Sequence, residues 1–213
     1  MINVVIKKID EDHINENYDI IIENIYSERR KRIESLKNKK AQYASITAGL
    51  MLQDIIYREC GIEPADLKFL AGDNGKPYLQ GDSTFKFNIS HSGEYVVVAH
   101  GTCELGVDIE EIRSMKTIDE AVVKKCFTDD EQQYINISAN EDRESRFIKL
   151  WTMKESCVKL TGKGISIPLN SFSVLDDNCN RNGGKVNFYV EKINNYYLSL
   201  CTFDTEHVNI IQI

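Results

Sequence analysis

Residues 151–159 read WTMKESCVK, and a helix through this stretch has one apolar face. The apolar side chains that share that face are Phe147 and the residues three, four and eleven positions after it: Leu150, Trp151 and Val158. Glu155 borders this stripe. It could form a surface ion pair with Lys159, worth about 0.3–0.5 kcal/mol on a helix. A carboxylate beside a core is costly to ionise without a compensating positive group, which predicts a functional role instead.

A second pair of carboxylates lies in the segment LGVDIEEI, residues 105–112. In a strand, Asp108 and Glu110 share one face with Gly106, because successive side chains point to opposite faces. Polar residues on a half-exposed strand would give the same pattern. Three clustered carboxylates would nevertheless suit a hard, oxygen-preferring cation such as Mg²⁺, with Mn²⁺ as an alternative. Lys159 could then serve a phosphate group.

The segment FNISHSG, residues 87–93, is the second polar constellation. Alternation places Asn88, Ser90 and Ser92 on one face of a strand, and His91 stands at the mouth of the following turn. Hydroxyls, an imidazole and free backbone N–H groups are suited to an anion, although a lone histidine is commonly structural. Upstream, the GKP turn at 75–77 holds Lys76, which is either a solvated lysine or a second phosphate contact.

Composition indicates a globular protein with one large core or two small ones. The chain has 213 residues, 42% of them hydrophobic, and three prolines. No apolar run approaches the roughly 18 residues that span a bilayer, so we expect no membrane partner and a cytoplasmic location. The six cysteines are dispersed and form no CxxC pair, which argues against a zinc site or a disulfide framework.

The net charge of −7 argues against a nucleic-acid partner, because phosphate-backbone binding needs a basic face. Residues 28–40 are the exception, with seven basic and two acidic side chains. This basic run is either a solvated helical face or a docking surface for an anionic ligand or an acidic partner.

The order of predicted elements suggests an α+β fold in two halves, residues 1–105 and 106–213. Strands are predicted at 2–9, 85–90, 94–100, 104–110, 172–175, 185–190, 196–202 and 208–212. Helical patterning extends to residue 26 and returns at 39–60, 117–125, 128–138 and 141–160.

These motifs together resemble the 4'-phosphopantetheinyl transferase family, in the longer two-domain form that serves peptide and polyketide synthases. The match consists of GKP, FNISHSG, GVDIE at 106–110 and WTMKESCVK, in that order, with Asp108 and Glu155 47 positions apart. SIPLNSFSV at 166–174 is also similar to the family's segment after the helix. The resemblance implies two similar halves related by a pseudo-twofold axis. Each would be a small antiparallel sheet packed with helices, and the active site would lie in the cleft between them.

The resemblance also assigns roles to residues. The implied Mg²⁺ ligands are Asp108, Glu110 and Glu155. The implied contacts to coenzyme A are Lys159 at the pyrophosphate, Ser90, His91 near the 3'-phosphate, Lys76, and Ser45 at the nucleotide. The basic run lies where relatives contact the nucleotide, but the sequence does not fix which of its members do so.

The implied reaction transfers 4'-phosphopantetheine from coenzyme A to a serine of an apo acyl or peptidyl carrier protein. Glu155 would act as the base, either directly or through a metal-bound water, and Lys159 would stabilise the departing 3',5'-ADP. The carrier would contact the segment after the helix, at Lys163, Ile165, Ile167 and Leu169. The alternative is that its apolar residues only cover the sheet of the second half. A monomer is expected, because two halves in one chain supply the cleft. Two alternatives remain, a Mg²⁺-dependent nucleotide phosphohydrolase and a catalytically silent binding module.

Overall fold

The computed structural model describes residues 1–72, 75–112, 118–137, 142–162, 168–176, 179–181, 184–203, 205 and 207–213. The helices in this part of the chain are α1 (Glu11–Glu16), α2 (Tyr18–Asn24), α3 (Ser27–Ser35), α4 (Lys39–Cys60), α5 (Glu120–Cys126), α6 (Asp129–Asn136) and α7 (Arg143–Thr161). The strands are β1 (Ile2–Lys8), β2 (Phe69–Ala71), β3 (Pro77–Leu79), β4 (Lys86–Ser92), β5 (Tyr95–Gly101), β6 (Leu105–Glu111), β7 (Asn180–Arg181), β8 (Gly184–Lys185), β9 (Asn187–Ile193), β10 (Tyr196–Thr202) and β11 (Val208–Gln212). The α+β class predicted from the sequence is confirmed.

The first sheet has the strand order β11-β1-β5-β4. β1 and β4 both pair with β5 in antiparallel fashion, whereas β11 pairs with β1 in parallel, with Ile2 opposite Val208. The C-terminal strand therefore lies in the sheet of the N-terminal half, although the sequence alone places it with residues 106–213. This sheet is mixed rather than purely antiparallel.

The second sheet has the order β6-β10-β9 and is antiparallel throughout, with Asp108 opposite Ser199. Helix α7 packs on β6 so closely that the two backbones are in contact at Gly106. A Cβ atom on Gly106 would lie only 2.1 Å from the Ser156 carbonyl oxygen and 2.2 Å from the Leu160 nitrogen. The glycine of the GVD motif is therefore required for this close approach.

Alternation along the strands distributes apolar side chains among three cores. In β1, Val5 joins the core beneath α4, whereas Ile2, Val4 and Ile6 point the other way. Those three pack between the sheets with side chains from β5, β6 and β10: Tyr95, Val97, Ala99, Leu105, Val107, Ile109, Tyr196, Leu198 and Leu200. A third core joins α7 to the opposite face of the second sheet, including Tyr197 and Cys201 of β10. The two halves are thus layers that share an apolar interface.

The two long helices have well-defined ends. The Asn38 side chain accepts a hydrogen bond from Ala41 N at 3.1 Å at the start of α4, and Gly61 ends that helix at φ 69°. Asp142 and Gly162 play the same roles for α7.

The strand predicted at 172–175 is wrong, because a 3₁₀ turn, Leu169–Ser171, precedes irregular chain there. The strands β2 and β3 were not predicted.

The six cysteines all lie in the described residues and form no disulfide bond there; Cys157, Cys179 and Cys201 are buried, and Cys60, Cys103 and Cys126 are partly exposed. Among the described residues, no helix is both long enough and apolar enough to cross a membrane.

Candidate active site

Strands β4 and β6 lie side by side at the junction of the two sheets and are linked by side chains. The links are Val107 N to Asn88 Oδ1 (2.9 Å), Ser90 Oγ to Asp108 Oδ1 (2.7 Å) and Ser92 Oγ to Glu110 Oε2 (2.8 Å). Because partners are always 18 or 19 positions apart, the strands run in the same direction. The polar faces predicted for the two motifs therefore meet each other.

Asp108 and Lys159 form the centre of this junction. Lys159 Nζ lies 2.6 Å from Asp108 Oδ1 and 2.9 Å from Ser90 Oγ. Asp108 is only 3% exposed, and its burial raises the pKa of the carboxyl while the Lys159 ammonium opposes that rise. The second oxygen, Oδ2, is buried and has no hydrogen-bond partner among the described residues. It is therefore available to accept a ligand.

Glu155 lies one turn before Lys159 on α7 and is half-buried. Burial raises the pKa of its carboxyl, and the nearby negative charge of Asp108 raises it further, against the opposing effect of Lys159. The structure thus brings Glu155 within electrostatic reach of Asp108. It borders the apolar stripe because the stripe ends at this junction.

The oxygen-rich donor set fits a hard cation such as Mg²⁺ in chemistry, since Asp108 Oδ2 is a free acceptor and Glu155 is close by. Glu110 shares the face of β6 with Asp108, but its Oε2 accepts from Ser92. In the part of the chain that the structure describes, no three acidic, histidine or cysteine side chains converge closely enough to hold a metal ion. The three carboxylates would have to come closer together to complete the set, and the three-carboxylate site stays a prediction.

A pocket of about 410 Å³ opens beside this junction, between α3, α4 and β4. Its lining includes Arg29, Arg32, Ser45 and His91. His91 lies at the edge of the pocket and is partly exposed to solvent. Partial desolvation lowers the pKa of its imidazole, and the positive charges of Lys159, Arg32 and Arg29 lower it further. Positive charge is therefore concentrated here, as an anion-binding site requires.

This pocket identifies which members of the basic run face it. Arg29 and Arg32 are three positions apart and share one face of α3. Arg29 is held in place, since its Nε donates to Tyr26 Oη at 2.9 Å and a Cβ on Gly49 of α4 would lie 2.7 Å from its Cγ. The i, i+3 spacing was the available sequence signal, but the position of α3 was not predicted.

Ser45 reaches the same pocket from α4. Its hydroxyl is buried and lacks a hydrogen-bond partner among the described residues. A buried hydroxyl without a partner costs free energy, which a ligand group in the pocket would recover. A second pocket of about 440 Å³ shares Arg29, Arg32 and Pro77 with the first and has an apolar base formed by Leu52, Phe69 and Phe87.

Lys76 is placed differently from the expectation. Its side chain is 7% exposed, and Nζ donates to Glu104 Oε2 (3.0 Å), the Leu105 carbonyl (3.0 Å) and the Leu160 carbonyl (3.3 Å). Burial lowers the pKa of the ammonium, against the effect of Glu104. With three acceptors inside the protein, Lys76 does not point its charge into the pocket. Its contact with coenzyme A stays a prediction that this geometry does not favour.

The sequence reasoning missed Lys154, in the middle of WTMKESCVK. Lys154 is fully buried and pairs with Glu131 Oε2 at 2.8 Å. Its ammonium also donates to the carbonyls of Leu169 (2.7 Å) and Phe172 (2.6 Å) and stands over the Phe172 ring. The sequence did contain a signal for the burial of Lys154. It lies seven positions after Phe147 and hence on the apolar stripe itself.

Most of the expected carrier contacts cannot be placed. Lys163, Ile165 and Ile167 lie outside the described residues. Leu169 is half-buried and packs against the core of the C-terminal half, while Lys154 holds its carbonyl.

A pocket lined by Arg29 and Arg32 and a carboxylate–lysine cluster lie together at the junction of the two sheets. The chain belongs to the 4'-phosphopantetheinyl transferase superfamily, whose family description matches residues 104–201. The description "4'-phosphopantetheinyl transferase, N-terminal" matches residues 12–103. The family and the enzyme class predicted from the motifs are therefore confirmed.

Individual relatives agree. The chain is 31% identical over 159 residues to the 4'-phosphopantetheinyl transferase ffp of Bacillus subtilis, covering 75% of this chain and 70% of the relative. It is 40% identical over 124 residues to the 4'-phosphopantetheinyl transferase psf-1 of Bacillus pumilus, covering 58% and 52%. It is 31% identical over 172 residues to the 4'-phosphopantetheinyl transferase gsp of Aneurinibacillus migulanus, covering 81% and 70%.

Proposed function

We propose that this protein transfers the 4'-phosphopantetheine group of coenzyme A to a serine hydroxyl of an apo acyl or peptidyl carrier protein. The products are the holo carrier and 3',5'-ADP. The observation that carries the proposal is the cluster of Lys159, Asp108 and Ser90 beside the basic pocket at the edge of which His91 stands. Ser90 comes from the N-terminal half and Asp108 and Lys159 from the C-terminal half, which supports a site formed by both halves.

The nucleotide end of coenzyme A binds in the pocket lined by Arg29, Arg32, Ser45 and His91. Guanidinium groups make paired, charge-assisted hydrogen bonds to phosphate oxygens. His91 contacts the 3'-phosphate, and the Ser45 hydroxyl gains the partner that it lacks within the described protein. Lys159, next to His91, reaches the pyrophosphate.

Asp108, Glu155 and, after reorientation, Glu110 would hold Mg²⁺, with Mn²⁺ as a substitute of similar oxygen preference. Bound there, the ion would supply positive charge to the pyrophosphate oxygens.

Glu155 removes the proton from the carrier serine. Glu155 lies at the edge of the core, one turn before Lys159 on α7, and this position suits the role. The serine oxygen forms a bond to the phosphorus that bears the pantetheine, and the bond from that phosphorus to the bridging oxygen breaks. The electron pair leaves with 3',5'-ADP, where Lys159 stabilises the new charge.

The carrier docks on the segment after α7, through Leu169 together with Lys163, Ile165 and Ile167. The protein has a net charge of −7, so net charge does not attract an acidic carrier and local contacts must provide the affinity. Ile167→Asp should raise the KM for carrier at unchanged affinity for coenzyme A. A steep loss of activity with added salt would point to the basic run as the docking surface instead.

The protein acts as a cytoplasmic monomer without nucleic-acid or membrane partners in this proposal. Sedimentation at several concentrations tests the monomer directly.

The decisive experiment is incubation with coenzyme A, Mg²⁺ and a panel of apo carriers, followed by intact mass measurement of each carrier. We expect a phosphopantetheine mass gain and release of 3',5'-ADP only when both carrier and Mg²⁺ are present. Release of 3',5'-ADP without carrier would indicate a phosphohydrolase. Binding of coenzyme A without any turnover would indicate a silent binding module.

A further inference from the structure

We propose that Lys76 is a positioning residue that fastens the wall of the nucleotide pocket to the C-terminal half of the protein, and does not itself bind phosphate. The inference rests on the proposed transfer reaction, since it concerns how the two sides of that site are held in register.

The ammonium group of Lys76 has its hydrogen-bonding capacity used within the protein. It has three N–H donors, and three protein oxygens lie within hydrogen-bond distance: Glu104 Oε2 at 3.0 Å, the Leu105 carbonyl at 3.0 Å and the Leu160 carbonyl at 3.3 Å. To reach a phosphate, Lys76 would have to leave a carboxylate and two main-chain carbonyls. Such a move costs the desolvation of each group left unpaired.

The acceptors belong to the elements that carry the reacting groups. Leu105 begins β6, three residues before Asp108, and Leu160 follows Lys159 near the end of α7. On the other side, the two chain neighbours of Lys76 line the pockets beside Arg29 and Arg32: Pro77 lines both pockets, and Gly75 lines the 440 Å³ pocket. One buried cation therefore links the pocket wall to both the strand and the helix of the active site.

A lysine is well suited to this position. The last carbonyls of a helix lack partners within the helix, and a cation there also interacts favourably with the helix dipole. The aliphatic stem packs against the helix end, because a Cβ on Gly162 would lie 3.5 Å from Lys76 Cδ. Lys86 holds the other oxygen of Glu104 at 2.9 Å, so the carboxylate is fixed from two sides.

The test compares Lys76→Met, Lys76→Arg, Glu104→Gln and the double variant Lys76→Met/Glu104→Gln. Lys68→Met, which changes an exposed lysine of the same half, is the matched control. For each variant, kcat and KM are measured with an apo carrier for both coenzyme A and 3'-dephospho-coenzyme A. Thermal melts establish which variants are folded.

We expect Lys76→Met to lower kcat about tenfold to a hundredfold, the range that small misplacements of reacting groups produce. The ratio of the KM values for the two substrates should stay at its unmodified value. Glu104→Gln should show a smaller loss of the same kind, and the double variant should be no worse than Lys76→Met. Lys76→Arg should also have a lower kcat than the unmodified protein, because the guanidinium is larger than the ammonium that the enclosed site holds.

A phosphate contact predicts the opposite pattern. Lys76→Met would then raise the KM for coenzyme A selectively, Lys76→Arg would keep activity, and Glu104→Gln would match the control; any of these results overturns the inference. If Lys76→Met does not fold, Glu104→Gln decides, since a folded variant with unmodified kcat contradicts the positioning role. Failure of the unmodified protein to modify any carrier would instead overturn the proposed function.

Discussion

The Lys159 ammonium lies 2.6 Å from Asp108 Oδ1, and this contact joins α7 to β6 at the point where the two halves meet. Ser90 of β4 donates to the same oxygen and accepts from the same ammonium. The three residues come from segments far apart in the chain. A substrate phosphate that approaches Lys159 therefore also approaches the carboxylates on which we propose that transfer depends.

Asp108 should be required for transfer rather than for folding. Asp108→Ala removes the buried oxygen that has no partner in the described protein, together with the acceptor of Lys159, so we expect kcat/KM to fall by at least about a hundredfold. The mass gain of an apo carrier measures the loss, and circular dichroism checks the fold. Glu191→Gln, an exposed change on β9 of the same sheet, is the control. Near-normal turnover by Asp108→Ala would remove Asp108 from the site.

His91 should take up a proton when coenzyme A binds. In the free protein the pKa of His91 is lowered, so the imidazole is neutral at neutral pH and gains its charge only as the pH falls. A bound phosphate favours the charged form and raises that pKa, so between the free and bound pKa values binding is coupled to protonation and strengthens with acidification. Calorimetry in buffers of different ionisation enthalpy measures the uptake.

The matched variant His91→Ala separates this effect from protonation of the ligand. It should lose the His91 contribution to proton uptake and should raise the KM for coenzyme A more than that for 3'-dephospho-coenzyme A. Equal changes with both substrates would show that His91 is structural.

Ser45 should matter for ligand binding and not for stability. Its buried hydroxyl has no partner among the described residues, so Ser45→Ala should leave the free energy of unfolding unchanged or raise it by up to about 1 kcal/mol. The same variant should weaken coenzyme A binding several-fold, as measured by calorimetry. A destabilised protein with unchanged affinity would contradict this interpretation.

Gly106 should be among the most sensitive positions for stability. A Cβ there would lie 2.1 Å from the Ser156 carbonyl oxygen, and backbone cannot move aside cheaply. Gly106→Ala should therefore cost about 3 kcal/mol in urea unfolding and should displace α7 from β6. Gly61→Ala is the comparison, because its added methyl meets open space and costs only the left-handed backbone strain, about 1 kcal/mol. Similar losses in the two variants would argue against the close contact.

Lys154 should contribute to stability and to the order of the chain after α7. Lys154→Met leaves the buried Glu131 without its cation and frees the carbonyls of Leu169 and Phe172, at a cost of about 3–5 kcal/mol. In the double variant Lys154→Met/Glu131→Gln the loss should be less than the sum of the single losses, because the uncompensated charge is gone. Equilibrium unfolding of the three variants gives the coupling. Additive losses would show that the pair does not act as a unit.

The sequence by itself determined the local structure and the kinds of side chain that the site contains. The periodicity that predicts α4 and α7, and the alternation that places Asp108 and Glu110 on one face of β6, depend on residues close together in the chain. The family could be predicted from four short motifs in the right order, because each motif contains the side chains that phosphate or metal binding needs. The prediction at 172–175 was wrong because the buried Lys154 ammonium, 15 and 18 positions earlier in the chain, binds the carbonyls of Leu169 and Phe172, at the 3₁₀ turn and directly after it.

Only the tertiary structure decided which groups meet. Lys76 follows Gly75 and Lys159 lies four positions after Glu155, so both are candidate phosphate contacts in the sequence. Long-range packing nevertheless directs Lys76 to carbonyls inside the protein and Lys159 towards Asp108 and Ser90. Likewise, Arg29 and Arg32 were selected from the basic run by the packing of α3 on α4, and β11 joined the first sheet through pairing across almost the whole chain. Such outcomes depend on contacts between segments that are remote in sequence. Local sequence patterns do not show which remote segments come into contact.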